Sequence, residues 1–314
     1  MKHLFLLTSL LLTALLGGGC ASTPTPAKTY TPVDTGHAFL WEVKDGHGRG
    51  GTAYVVGSIH MGREGELTLP PAMETAFAKS DALVVEVDVG KVDANSMAKL
   101  VMELGRLPEG QRLSQRLDPE TVTLLSRAAD RMGLQLDGLE SLRPWLAGMV
   151  LSVTELQRAG YQQGHGVDRA FLGRARDAGK AILELETAEG QVRMLAGTPD
   201  KLQDLMLRDQ LRRTQEAGAV LEQLVAAWKA GDADGMASLI LQGANDATYR
   251  PVYERIFFER NAQMATSVDA LLAQPRTHFV VVGAGHVVGP QGLVALLQKQ
   301  GHSVRQLPRT PAAE

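Results

Sequence analysis

Cysteine is nearly absent: Cys20 is the only thiol in 314 residues, so no internal disulfide can form. Aromatic residues make up 5% of the chain, and no run of Lys and Arg interleaved with aromatics occurs. The basic residues are scattered rather than gathered to neutralise phosphates, which argues against a nucleic-acid partner. Neither sign of charge dominates, with 32 Lys and Arg against 35 Asp and Glu and a formal net charge of −3. The apolar stretch Leu4 to Leu16 is shorter than the roughly 20 residues a spanning helix needs. No H-E-x-x-H, G-x-S-x-G, Walker or G-x-G-x-x-G motif is present, so those machineries are excluded as recognisable motifs. What the chain does have is 44% hydrophobic residues, enough for one sizeable core or two modest ones.

Lys2 and His3 precede the apolar stretch and Gly17-Gly18-Gly19-Cys20 closes it, the layout of a targeting segment. Small residues before a single cysteine resemble a bacterial lipoprotein signal over residues 1–20, in which Cys20 becomes the acylated first residue. Gly17 holds the place where that pattern usually has Leu, with Leu16 one step further out. A plain secretory signal with an incidental thiol is the alternative, and under either reading the protein is exported. Ala21, in place of Asp, resembles lipoproteins sent on to the outer membrane of Gram-negative cells, here facing the periplasm. Residues 21–36, with Ser22-Thr23-Pro24-Thr25-Pro26-Ala27-Lys28, read as a flexible tether. The membrane is thus expected as a partner through a lipid anchor.

Two strand ends match. Tyr54-Val55-Val56-Gly57-Ser58-Ile59-His60 and Phe279-Val280-Val281-Val282-Gly283-Ala284-Gly285-His286 each run β-branched to a glycine and place a histidine three residues later. The glycine is expected to let the backbone turn sharply where the strand leaves the sheet, delivering the imidazole to its rim. One G-x-x-H alone reads as an ordinary loop histidine; its repetition points to two rims facing one site. Ala38–Val43 and Thr52–Gly57 predict a hairpin around the turn 45–51. His37 and His47 read as solvent-exposed surface. Ala82-Leu83-Val84-Val85-Glu86-Val87-Asp88 reads as a strand interrupted by an acid. Inside a wall of valines Glu86 is costly unless a cation or several donors meet it, whereas at the strand's open end it faces water. Asp88 is either a second ligand or an N-cap.

Helical periodicity dominates from about 94 to 274, except for the strand-like Ala181–Glu186. A long helix is expected over Tyr249–Leu272, then a strand at 278–282, a helix at 290–300 and a short last strand. The expected fold is α/β (α+β): a central sheet built from N- and C-terminal strands with a large helical insertion or cap, as a single domain over residues 37–310. Ligands of such sheets gather beyond the carboxyl ends of strands, where His60, Glu86, Glu186 and His286 fall. Two imidazoles and a carboxylate suit a divalent transition metal that keeps a place open for water. Without a metal, the same groups make a histidine base oriented by a carboxylate, with the second histidine as acid.

These motifs, with Val84-Val85-Glu86-Val87-Asp88, Gly164-His165-Gly166-Val167-Asp168, Leu183-Glu184-Leu185-Glu186-Thr187 with Gln191, Trp228-Lys229-Ala230-Gly231-Asp232 and Glu259-Arg260-Asn261, resemble the TraB/GumN family from about Phe39 to Gln306. That family includes the Tiki-type metalloproteases and is distantly related to the erythromycin esterase and ChaN-like haem-binding proteins. For the Tiki-like members the resemblance implies a Mn- or Co-dependent peptidase. Carried over, it implies His60, His286 and Glu86 as the metal-site residues, with Arg260 and Asn261 as polarising or orienting groups; Glu86 is expected as metal ligand or general base, and Zn is a further candidate metal. Arg260 alone reads as a solvated helix residue or as a clamp for developing negative charge. His165 shapes a loop or lines the pocket. Glu186 or Glu184 supports a ligating histidine or belongs to the helix start at Thr187. Trp145 and Trp228 read as packing residues; His278 and His302 receive no role. The expectation is a hydrolase acting on a peptide or a small carbonyl compound, against a protein that binds haem, metal or a peptide signal without reaction.

Overall fold

Strands β1 (His37–Lys44), β2 (Thr52–Ser58), β3 (Ala82–Val85), β4 (Ala181–Glu184), β5 (Thr277–Gly283) and β6 (Ser303–Pro308) form one sheet in the order β4-β3-β5-β2-β1-β6. These come from a computed structural model that describes residues 30–213 and 217–311; the signal, Cys20 and the tether up to residue 29 lie outside them. Among the described residues no helix is long and apolar enough to cross a membrane. The fold is mixed α/β: a six-stranded sheet from N- and C-terminal strands with a central helical insertion.

The chain divides into two units, one of which holds the whole sheet, described over 30–88, 162–185 and 221–311. Pairs β2/β5, β5/β3 and β3/β4 are parallel, while β1 is antiparallel to β2 and β6. The central strands β3 and β5 are buried nearly throughout, which is why they read as continuous apolar runs rather than alternating ones. The β1–β2 hairpin forms as expected around residues 45–51. Helices of this unit are α1 (Pro71–Lys79), α2 (Val167–Asp177), α3 (Ala217–Ala230, from Leu221 onward), α4 (Ala233–Ile240), α5 (Glu259–Leu272) and α6 (Leu293–Lys299). The other unit, residues 89–161 and 186–220, is helical. Pro119 and Pro144 open two of its helices, where a missing N–H costs nothing. Gln203 and Gln210 of its helix Asp200–Arg213 bond the backbone of Trp145 and Gly148 in the helix Pro144–Arg158.

Three local differences from the sequence reading bear on function. β3 stops at Val85, so Glu86 is the first residue past the strand; it lies at the open end, yet it is only 6% exposed. The expected helix over 249–272 is interrupted by a π turn, Glu254–Phe258, before α5. Neither Gly57 nor Gly283 has a positive φ, so neither glycine is there to make a sharp turn, and β2 continues through Gly57 to Ser58. Their hydrogen side chains permit close approach instead: a Cβ on Gly57 would stand 2.5 Å from the Phe39 ring.

Candidate functional site

The register of β2 and β5 brings the two motifs together. Gly57 pairs with Val282 and Ser58 with Gly283, so adjacent parallel strands deliver His60 and His286 from the same end of the sheet. Trp228 of α3, expected to do no more than pack, donates its indole N–H to the Gly57 carbonyl at 2.7 Å. Residues 164–168 lie against the backbone of the first motif. Val167 N donates to Ile59 O at 3.0 Å, and a Cβ on Gly166 would stand 2.4 Å from His60 O. This contact carries Asp168, in the first turn of α2, to His60: its Oδ1 is 3.2 Å from His60 Nδ1, off the line of a ring N–H bond. Ser58 Oγ donates to Asp168 Oδ1 at 3.0 Å and accepts from Asp168 N at 3.1 Å, which holds the carboxylate in place.

Glu86 sits between a cation and a backbone donor. Arg260 Nη2 donates to its Oε2 at 3.1 Å, Gly283 N donates to its Oε1 at 2.5 Å, and His60 Nε2 is 4.0 Å from Oε1. A buried carboxylate is tolerated here because a guanidinium and an N–H meet it. Arg260 is itself buried, with Nη1 donating to Ile256 O inside the π turn. That turn inserts one residue and so shifts the phase of the helix that follows, which starts with Arg260 and Asn261 buried. Asn261 Nδ2 donates to Gln291 O at 2.7 Å, leaving its Oδ1 to accept from His286 Nδ1 at 2.6 Å. The His286 proton is thereby assigned to Nδ1, and Nε2 keeps its lone pair. That Nε2 is buried with no hydrogen-bond partner.

The three groups converge on Gly283. A Cβ there would stand 2.7 Å from His60 Nε2, 3.3 Å from Glu86 Oε1 and 3.6 Å from His286 Cδ2. Burial, then Arg260 and His60, push the His286 pKa well below its ordinary 6.5. For His60 burial also disfavours the proton, but Asp168 and Glu86 together outweigh it and raise the pKa. Two imidazoles pushed in opposite directions are the pattern of an acid and a base. The donor set also fits a divalent metal: His286 offers an orphaned lone pair, its other nitrogen is fixed by an amide, and His60 is backed by a carboxylate.

Other candidates lie elsewhere. Glu186 belongs to the helical unit and its Oε2 accepts from Gln191 Nε2 at 2.8 Å, while Glu184 accepts from Asp88 N at 2.7 Å. His165 ends a short 3-10 turn, and among the described residues its side chain has no hydrogen-bond or ion-pair partner. Asp168, Ser58 and Trp228 are the contributors that sequence reasoning missed. The G-H-G-V-D run was a signal, but only the packed loop shows that its aspartate rather than its histidine reaches His60.

A second cluster joins residues that sequence reading left without function. Asp45, His47 and His302 are the described trio whose donor atoms all lie within 4.8 Å of one another, a possible metal site. His60, Glu86 and His286 do not meet that spacing as their side chains stand, so an ion shared by all three needs a side-chain rotation. In the Asp45 cluster the donors are already engaged. Arg49 Nε meets Asp45 Oδ1 at 2.9 Å, Gly46 N meets His302 Nδ1 at 3.3 Å, His302 Nε2 meets Asp269 at 3.0 Å, and His47 Nε2 meets Gln300 O at 3.0 Å. The cluster borders the amino end of β2, the opposite end from His60 and about 20 Å of strand away.

The sequence profile of the TraB/PrgY/gumN family matches residues 39–306. A protein from Escherichia coli (strain K12) named "Uncharacterized protein YbaP" is 30% identical over 252 residues, covering 78% of this chain and 87% of its own. The Metalloprotease TIKI1 of Danio rerio is 27% identical over 342 residues, covering 91% of this chain and 66% of its own. The Metalloprotease TIKI2 of the same organism is 26% identical, covering 87% and 61%. No solved structure matches.

Proposed function

The chain belongs to the TraB/PrgY/gumN family, and from that membership we propose that it is a metal-dependent hydrolase of peptides or similar carbonyl compounds, exported and held at the cell envelope by an acylated Cys20. The observation that carries the reading is the buried, partnerless Nε2 of His286, on a ring that reaches Gly283 beside His60 and Glu86. Distant relatives named metalloproteases support it.

In this proposal His60 and His286 hold a divalent ion (Mn, Co or Zn) with Glu86 as a further ligand or as general base. When bound, such an ion lowers the pKa of its water and polarises a carbonyl. The protein's own groups do the rest. Asn261 keeps the His286 Nε2 lone pair turned inward, and Asp168 braces His60 from behind. Arg260 holds Glu86 by its Nη2 bond and sets a positive charge beside the reacting groups to meet developing negative charge. The low exposure of His60, Glu86 and His286 excludes bulk water from the reacting groups.

A second reading, binding of haem, a metal or a peptide signal without reaction, is favoured by one observation: both oxygens of Glu86 already accept hydrogen bonds, which weakens it as a base. One experiment separates the two. Metal-stripped protein is reloaded with Mn, Co or Zn and screened against a peptide library beside a Soret titration with haem. Cleavage restored by metal and lost in both His60→Ala and Glu86→Gln is expected. Haem uptake with no cleavage under any metal would reject the hydrolase. The isosteric Glu86→Gln is preferred to alanine, since it leaves no cavity and keeps an oxygen that can accept from Arg260.

A further inference from the structure

The turn between β1 and β2 and the loop between α6 and β6 meet over His47 and His302, which the proposed function does not use. His302 is buried and its tautomer is fixed from both sides. Gly46 N donates to its Nδ1 at 3.3 Å, so that nitrogen carries no proton, and its Nε2–H is given to Asp269 Oδ1 of α5 at 3.0 Å. The Nδ1 lone pair therefore stands 3.7 Å from Asp45 Oδ1, a second acceptor, and neither can donate to the other. Two facing acceptors call for a cation. The exposed His47 adds a third donor, and the ligand atoms of Asp45, His47 and His302 all lie within 4.8 Å of one another. At present the positive charge comes from Arg49, which joins Asp45 Oδ1 at 2.9 Å through Nε to Asp269 Oδ1 at 2.6 Å through Nη2. Its side chain is 31% exposed, so it can leave Asp45 and keep Asp269.

We propose that Asp45, His47 and His302 bind a Zn(II) ion at a site of their own, with Asp269 orienting His302 and water in the fourth place. Two imidazole nitrogens and a carboxylate oxygen are the donors that Zn(II) takes, whereas Mg and Ca prefer oxygen alone. Tetrahedral Zn ligands lie about 3.4 Å from one another, close to the 3.7 Å between His302 Nδ1 and Asp45 Oδ1. A carboxylate behind the ligating imidazole is the usual support of such a ligand. Lys44 pairs with both Thr52 and Ser303, so the ion clips together the end of β2, β1 and β6. It acts on stability. The site is independent of whether the His60 pocket at the other end of β2 holds a metal.

Zn(II) binding is measured by calorimetry on the untagged full-length chain carrying His60→Ala and His286→Ala, so that the other pair of imidazoles contributes nothing. One equivalent is expected, with a melting temperature that rises on adding zinc chloride and falls back with chelator. Adding His47→Ala, at an exposed position, is expected to weaken binding at least about tenfold and to remove the rise in melting temperature. Asp269→Asn keeps the shape but not the charge behind His302, and is expected to weaken binding by about tenfold. Arg49→Gln removes the competing cation and is expected to bind Zn(II) more tightly, which a purely structural ion-pair network would not produce. The same comparison in an otherwise wild-type chain, where His47→Ala should lower the stoichiometry by one equivalent, covers a double variant that fails to fold. No Zn(II) uptake, uptake that His47→Ala leaves unchanged, or a melting temperature that Zn(II) does not raise would overturn the proposal.

Discussion

At Gly283 the side chain is a hydrogen atom because there is room for nothing more. A methyl group would stand 2.7 Å from His60 Nε2 and 3.3 Å from Glu86 Oε1, inside the contact distance of both. Gly283→Ala is therefore expected to cost about 1–3 kcal/mol in urea unfolding and to abolish metal uptake by the His60 and His286 pair. Wild-type stability together with wild-type uptake would show that the pocket relaxes freely and is not built around that contact. At this scale the sequence marked residues without showing their partners. His60, His286, Glu86, Arg260 and Asn261 were all marked by motif; Arg260 and His60 lie against Glu86, Asn261 bonds His286, and His60, Glu86 and His286 all approach Gly283. Asp168 was read as a helix-start residue and Trp228 as packing, because a side chain's bonding partner is not a property of its neighbours in the chain. Asn261 was expected as a polarising or orienting group; in the structure its Oδ1 accepts from His286 Nδ1.

Among whole elements, the strands were the most readable. β5 and the second half of β2 appear as β-branched runs because strand segments buried on both faces favour apolar residues at successive positions. Their adjacency and register followed only from folding. The π turn at Glu254–Phe258 left no mark in the sequence, since one inserted residue without proline or glycine barely disturbs a helical pattern. In the helical unit, the helix Pro144–Arg158 carries Glu155, whose pKa is raised from 4.5 to about 7, chiefly by burial and against the pull of Arg131. The native state thus holds a proton between pH 4.5 and 7 that the unfolded chain releases. The stability this provides is full below pH 4.5 and is lost as pH rises through 7. Glu155→Gln is expected to melt above the wild type at pH 8 and to converge with it near pH 4.5. A difference that stays constant across that range would refute the assignment.

For the molecule as a whole, the proposed anchor makes a plain prediction. In detergent partitioning of cells producing each form, wild type should enter the detergent phase and Cys20→Ser the aqueous phase; a wild type found in the aqueous phase would remove the anchor. Composition, hydrophobic period and repeated motif determined by themselves the α/β class, the sheet built from both ends of the chain and the helical region between them, while the motifs resembled those of the family. Those properties depend on local order, which the chain carries at every position. Tertiary structure alone decided which atoms meet. The bond from Asn261 to His286 spans 25 positions, from Arg260 to Glu86 174 and from Gly283 to Glu86 197. Contacts across such distances exist only once the sheet has aligned its strands, so the tautomer of His286 and the pairing of Glu86 are properties of the packed molecule.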